Sequence, residues 1–112
     1  MTTSTEPGTP KGYWIVRGDV SDLEQYQVYV RANAQPFAEY GARFLVRGGS
    51  FENPEGQSRS RHVVIEFPSY QAARDCWHSP GYQAAIALRK DVAVVDLVII
   101  GGYTGPQPGA GS

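Results

Sequence analysis

The sequence predicts an α+β domain in which one antiparallel sheet carries helices on one face. Three observations point there. Four short runs rich in aromatic and β-branched residues are stopped by glycine or proline. The stretches between them repeat apolar residues at helical spacing. The order of these pieces is β-α-β-β-α-β, with each helical stretch broken in two.

Residues 12–18, GYWIVRG, form the first strand. Ser21 or Asp22 can cap the helix that follows. Leu23, Tyr26 and Val30 lie at helical spacing and define its buried face. Pro36 is expected to interrupt this helix, because its ring clashes with the preceding turn. A second short helix would then begin near Gln35 and carry Phe37 and Tyr40, with Gly41 as its left-handed cap. Residues 43–50, RFLVRGGS, form the second strand, with a bulge or bend at Gly48 and Gly49. A polar loop over 52–60 leads to the third strand, 61–67, RHVVIEF, which Pro68 stops. Ser69 caps a helix containing Ala72, Ala73, Cys76 and Trp77, and Ser79 with Pro80 restarts it. Tyr82, Ala85, Ile86 and Arg89 share one side of that last helix. Residues 95–100, VDLVII, form the final strand, ended by Gly101 and Gly102. This order typifies the ferredoxin-like fold.

A chain of 112 residues holds one such domain, expected at 11–103. Residues 1–10 and 104–112 are rich in glycine and proline and poor in apolar anchors, so both are expected to be disordered tails. The formal net charge of −1 lacks the basic excess that drives binding to nucleic acid or an anionic membrane. No apolar run approaches the roughly 20 residues of a membrane span. The single cysteine, Cys76, excludes an internal disulfide and suits a reducing, cytoplasmic setting. His62, His78 and Cys76 have no metal-ligand spacing, so neither metal nor cofactor is expected.

Alternation separates the two faces of the sheet. Trp14 and Val16, Phe44 and Val46, and Val63, Ile65 and Phe67 make an apolar face for the helices. The opposite, mixed face carries Tyr13, Arg17, Arg43, Arg47, His62 and Glu66 among Ile15, Leu45 and Val64. The last strand is apolar on both sides apart from Asp96, which suggests that something covers both. Packing of two mixed faces would give a homodimer with a closed or nearly closed barrel.

The segments FLVRGG (44–49), VVIEFPS (63–69) and SPGYQ (79–83), with Tyr40-Gly41 upstream, resemble the bacterial family catalogued as domain of unknown function 1330. The resemblance covers about Lys11 to Gly102. It implies the dimeric α/β-barrel superfamily, whose members include small isomerases, cofactor-free monooxygenases, haem-degrading enzymes and stress-response barrels. Two departures stand out: Gly81 where relatives more often have an acidic residue, and Ala42 where glycine is usual.

Several residues can carry chemistry. Arg47 and Glu66, both assigned to the mixed face, form either a structural cross-strand pair or an anion holder beside a proton-transfer group. His62 shares that face about 13 Å from Glu66 and is either a solvated strand-end histidine or a proton carrier. Tyr13 and Arg17 would add ligand contacts there. Trp77, His78, Tyr82 and Arg89 form a rival cluster between helices and sheet. There Trp77 is core or stacking platform, His78 a helix cap or pocket residue, and Arg89 an anion clamp or a solvated arginine. The composite expectation is a cofactor-independent enzyme of isomerase, cyclase or lyase type. It would move a proton on a small anionic or phenolic metabolite, with His62, Glu66 and Arg47 as the catalytic set. A non-catalytic ligand-binding or stress-response homodimer is the alternative, and a cofactor-free monooxygenase a further one.

Overall fold

A computed structural model describes residues 9–109. Its elements are β1 (Gly12–Val20), α1 (Leu23–Glu39), β2 (Arg43–Arg47), β3 (Arg61–Phe67), α2 (Tyr70–His78), α3 (Pro80–Ala87) and β4 (Ala93–Gly101). The strands make one antiparallel sheet in the order β2-β3-β1-β4, with the helices on one face. This is the ferredoxin-like arrangement. Residues 1–8 and 110–112 of the expected tails lie outside the described residues; 104–109 carry neither helix nor strand.

Local chemistry places the helix ends. Asp22 caps α1, its side chain accepting from the Gln25 N–H at 3.1 Å. Gly41, at φ 74°, ends it in the left-handed region. Ser69 caps α2 through the Ala72 N–H. Ser79 does double duty: its Oγ donates to the Cys76 carbonyl at 2.7 Å and accepts from the Tyr82 N–H at 3.2 Å. It closes α2 and opens α3, with Pro80 in the first turn.

Pro36 does not break α1, contrary to the sequence expectation. The helix runs unbroken through it, and no second helix starts at Gln35. Pro36 stands in the final turn, so its missing N–H forfeits a single ladder bond, to Ala32. Its buried ring packs near Gly81 at the start of α3.

Trp14 is the centre of the core. It is fully buried, donates its indole N–H to the Ala73 carbonyl at 2.9 Å, and meets the rings of Phe37, Phe67, Trp77 and Tyr82. Cys76, on the buried side of α2, is fully enclosed; burial first, then the Glu39 charge, pushes its thiol up to about 12, so it is an inert packing residue.

In β4, Val95, Leu97 and Ile99 turn inward, while Val94, Val98 and Ile100 are exposed on the outer side, which nothing among the described residues covers. In β2 the alternation is broken. Arg43 pairs with Glu66 and Phe44 with Ile65, but Val46 pairs with Val64 and Arg47 with Val63. Leu45 is the extra residue of a bulge, and one inserted residue exchanges the faces beyond it. Arg47 therefore points to the helix side with Val63, not to the mixed face with Glu66.

Candidate functional site

The exchange of faces at Leu45 brings Arg47 to a cavity between α1, α3 and the sheet. Each wall follows from a local pattern. Tyr26, Tyr29 and Asn33 lie three and four residues apart, so one stripe of α1 faces the sheet. Tyr82 comes from α3, and Arg89 follows that helix after one further turn. Arg61 opens β3 on the same side as Val63, Ile65 and Phe67. Gly48, at φ 75°, turns the chain away after β2, and a Cβ there would stand 3.3 Å from Arg61 Nη1. The free space enclosed is about 40 Å³.

Three guanidiniums, those of Arg47, Arg61 and Arg89, line this space. Among the described residues no carboxylate lines it. Among the described residues the ion pairs are Arg43–Glu66, Arg59–Asp19 and Arg59–Asp96, none of them here. Arg89 is 7% exposed, and its guanidinium lies 5.0 Å from the centre of the Tyr29 ring. Arg47 rests over the Phe44 ring at 4.0 Å, exposed at the rim. The Nε of Arg61 is shielded from solvent and has no hydrogen-bond partner.

The hydroxyls of Tyr29 and Tyr82 are 2.6 Å apart, and both side chains are buried. Burial, reinforced by Tyr29, raises the Tyr82 pKa far above that of an ordinary phenol; Arg89 opposes this only in part. Burial also raises Tyr26, with Tyr29 adding to the rise and Arg61 and Arg89 opposing it. Burial alone would depress Arg89, but the neighbouring hydroxyls of Tyr82 and Tyr29 more than offset it. At neutral pH the walls thus present positive charge and protonated Tyr82 and Tyr26 hydroxyls. Such a lining can hold an anion and hydrogen-bond a developing oxyanion. Among the described residues no imidazole or carboxylate stands in it to take a proton.

The structure divides the residues singled out from the sequence. Tyr82 and Arg89 line the cavity, and Arg47 joins them. Trp77 packs half-buried against Trp14 and Tyr82, with ring centres 5.9 and 5.6 Å away, and is not in the lining. His78 is exposed in the last turn of α2. Tyr13, Arg17, His62 and Glu66 lie on the outer face. Glu66 accepts from the Tyr13 hydroxyl at 3.1 Å and faces Arg43 at 3.9 Å, so its ion-pair partner is Arg43 and not Arg47. That contact with Glu66 and partial burial raise the Tyr13 pKa, burial being the larger cause. His62 stacks edge-on to Phe51, and its Nε2 is 3.1 Å from Ser58 Oγ. The expected trio of His62, Glu66 and Arg47 is therefore split across the sheet. Tyr29, Asn33 and Arg61 were missed. Arg61 had a legible signal: it is an arginine on the otherwise apolar alternation of β3.

Among the described residues no helix is long and apolar enough to cross a membrane. No three His, Cys, Asp or Glu side chains among them gather as metal ligands would.

Comparison with known proteins places this geometry. Residues 11–103 match the family described as Domain of unknown function (DUF1330). No curated protein matches the chain. A solved protein of unknown function from Rhodopseudomonas palustris, RPA0582, superposes with a TM-score of 0.65 at 17% identity, over 86% of this chain and 85% of that one. SnoaB, a cofactor-independent oxygenase from Streptomyces nogalater, superposes with a TM-score of 0.59 at 15% identity, over 88% and 96%. A putative antibiotic biosynthesis monooxygenase from Nitrosomonas europaea gives 0.57 at 20%, over 82% and 89%. At these identities the likeness is one of fold. The family match spans most of the chain, and the chain belongs to the DUF1330 family.

Proposed function

We propose that this DUF1330 protein is a small enzyme that binds an acidic, enolisable or phenolic metabolite in the arginine-lined cavity and promotes proton transfer on it without a cofactor. One observation carries the reading: three guanidiniums face a single cavity that holds no carboxylate. Positive charge in a partly shielded site with no carboxylate beside it favours a ligand that supplies the counter-charge. Arg89 holds the anionic oxygen, and the Tyr29–Tyr82 hydroxyl pair donates to it as charge builds. Fixed donors of this kind are typically worth about 3–4 kcal/mol each in a transition state. The proton itself leaves to water or to another group of the substrate, because the lining offers no base.

That missing base favours a second reading, a binding protein without turnover. One experiment separates the two. Enolisable and phenolic acids are incubated with the protein in D₂O, with carbon-bound deuterium and oxygen uptake measured in parallel. Deuterium incorporation that Arg89→Met abolishes supports the enzyme. Saturable binding with neither deuteration nor oxygen uptake supports the binder. Oxygen uptake would instead align the chain with the oxygenase chemistry named for SnoaB.

We also propose that the outer face closes against a second copy. Ile15, Leu45, Val98 and Ile100 are 40–54% exposed there, an apolar set that usually marks an interface. A stable interface typically buries roughly 1,600 Å² in total. Light scattering of the full chain should give a dimer, and Leu45→Glu should give monomer or aggregate. A monodisperse wild-type monomer at micromolar concentration overturns this.

A further inference from the structure

We infer that the ligand of the arginine cavity carries two acidic groups rather than one; this deepens, and rests on, the reading of that cavity as an anion site. The argument is a count of charge against shielding. Arg89 is 7% exposed, and Arg61 is half-buried with its Nε wholly shielded and unpaired. Neither has a carboxylate within ion-pair distance among the described residues. Arg47 differs, because it lies exposed on Phe44 and water compensates it. Two shielded positive charges therefore face one space. A monoanion sets one negative charge against two positive ones, whereas a dianion balances both. Each guanidinium presents a planar fork that fits one carboxylate through two parallel hydrogen bonds.

The two arginines reach the space from different elements. Arg89 enters from the end of α3, over the Tyr29 ring, and Arg61 from the start of β3, beside Gly48. The Tyr26 hydroxyl interacts electrostatically with both. The remaining wall is largely apolar, with Val16, Val63, Val95 and Leu97. The matching ligand is a dicarboxylate, or a carboxylate with a second acidic oxygen, on a short apolar or aromatic spacer. The present space of about 40 Å³ is smaller than such a molecule. Admission requires the rim at Phe44 and Arg47 to give way; both residues are exposed on a five-residue edge strand bonded on one side only.

The test is calorimetric titration of the full chain, at low salt, with isophthalate and with its monoamide, 3-carbamoylbenzoate. The two differ by one charge and little in size. Isophthalate should bind about tenfold tighter or better, the scale of one charge-assisted pair. Arg61→Met should erase that gap and leave the monoamide affinity within about twofold, and Arg61→Lys should restore part of it. Equal affinity of both probes in the wild type, with Arg89→Met abolishing both, overturns the two-charge inference and leaves the anion site standing. Equal weakening of both probes by Arg61→Met also overturns it. Binding of neither probe at millimolar concentration overturns the inference and the anion-site reading together.

Discussion

The two faces of the sheet hold similar polar residues in opposite circumstances. On the outer face Glu66 is met by Tyr13 and Arg43, His62 by Ser58 and Phe51, and Asp19 and Asp96 by Arg59. Every charge named there has a partner in the chain or open water beside it. On the helix face Arg61 and Arg89 are shielded and have no carboxylate, and Arg47 adds a third charge at the rim. The contrast shows why polar content is a weaker pointer to function than compensation. Paired groups on a wet surface are already satisfied and contribute little to stability. Charge lining a cavity with no carboxylate beside it favours an anionic ligand.

The largest expected effect tests the packing that separates the faces. Trp14→Ala removes a fully buried ring and its bond to Ala73 and should cost about 3–5 kcal/mol. The same change at outer-face His62 should cost far less. Urea denaturation of both variants checks this; comparable losses would mean that the outer face is a second core. Next in size is the division of function. Arg89→Met should weaken anion binding by about 10- to 100-fold, from the loss of a charge-assisted hydrogen bond. Its melting temperature should fall modestly, because the contacts of Arg89 with Tyr29 and Tyr82 go with it. Glu66→Gln and His62→Ala should keep both affinity and turnover. The reverse pattern would move the chemistry to the outer face, inside a dimer.

A subtler variant sharpens the comparison at the residue that the bulge sends to the helix face. Arg47→Met removes the rim guanidinium while leaving the bulge and the pairing of Val46 with Val64 in place. Anion affinity should fall by less than in Arg89→Met, and its salt dependence should flatten, since the charge lost lies at the exposed rim. Titration at two ionic strengths reads both changes. The smallest effect belongs to Asp19. Hydrogen bonds from the Ser60 N–H and hydroxyl, then from Arg59, hold its carboxyl below the ordinary value of 3.8. A depressed folded pKa stabilises above the unfolded value and is lost as pH falls from about 3.8 through the folded value. Asp19→Asn should therefore lower stability slightly at pH 7 and leave it unchanged once the acid limit is reached. A difference that persists at pH 2 would mean that the residue acts by shape instead of charge.

How legible the molecule was depends on the range of the interaction. Asp22, Ser69, Ser79 with Pro80, and Gly41 act on their own turns, and the sequence places them correctly. Alternation in β1 and β3 and the order of elements fixed the ferredoxin-like architecture for the same reason. Tyr82 and Arg89 were legible as neighbours on one helical side, although not that Tyr29 completes the pair. Pro36 misled because propensity measures an isolated helix, whereas here one lost bond sits in a last turn held by tertiary packing. The bulge decided the site. Nothing in RFLVR marks Leu45 as the extra residue, since that depends on which β3 residues each β2 residue pairs with. A side-chain period of two makes that single non-local choice decisive: it sends Arg47 through the sheet to Arg61 and Arg89 and leaves Glu66 to Arg43. The chain by itself determined which arginines exist and which strands carry them. Only the paired sheet decided which of them would line one cavity together.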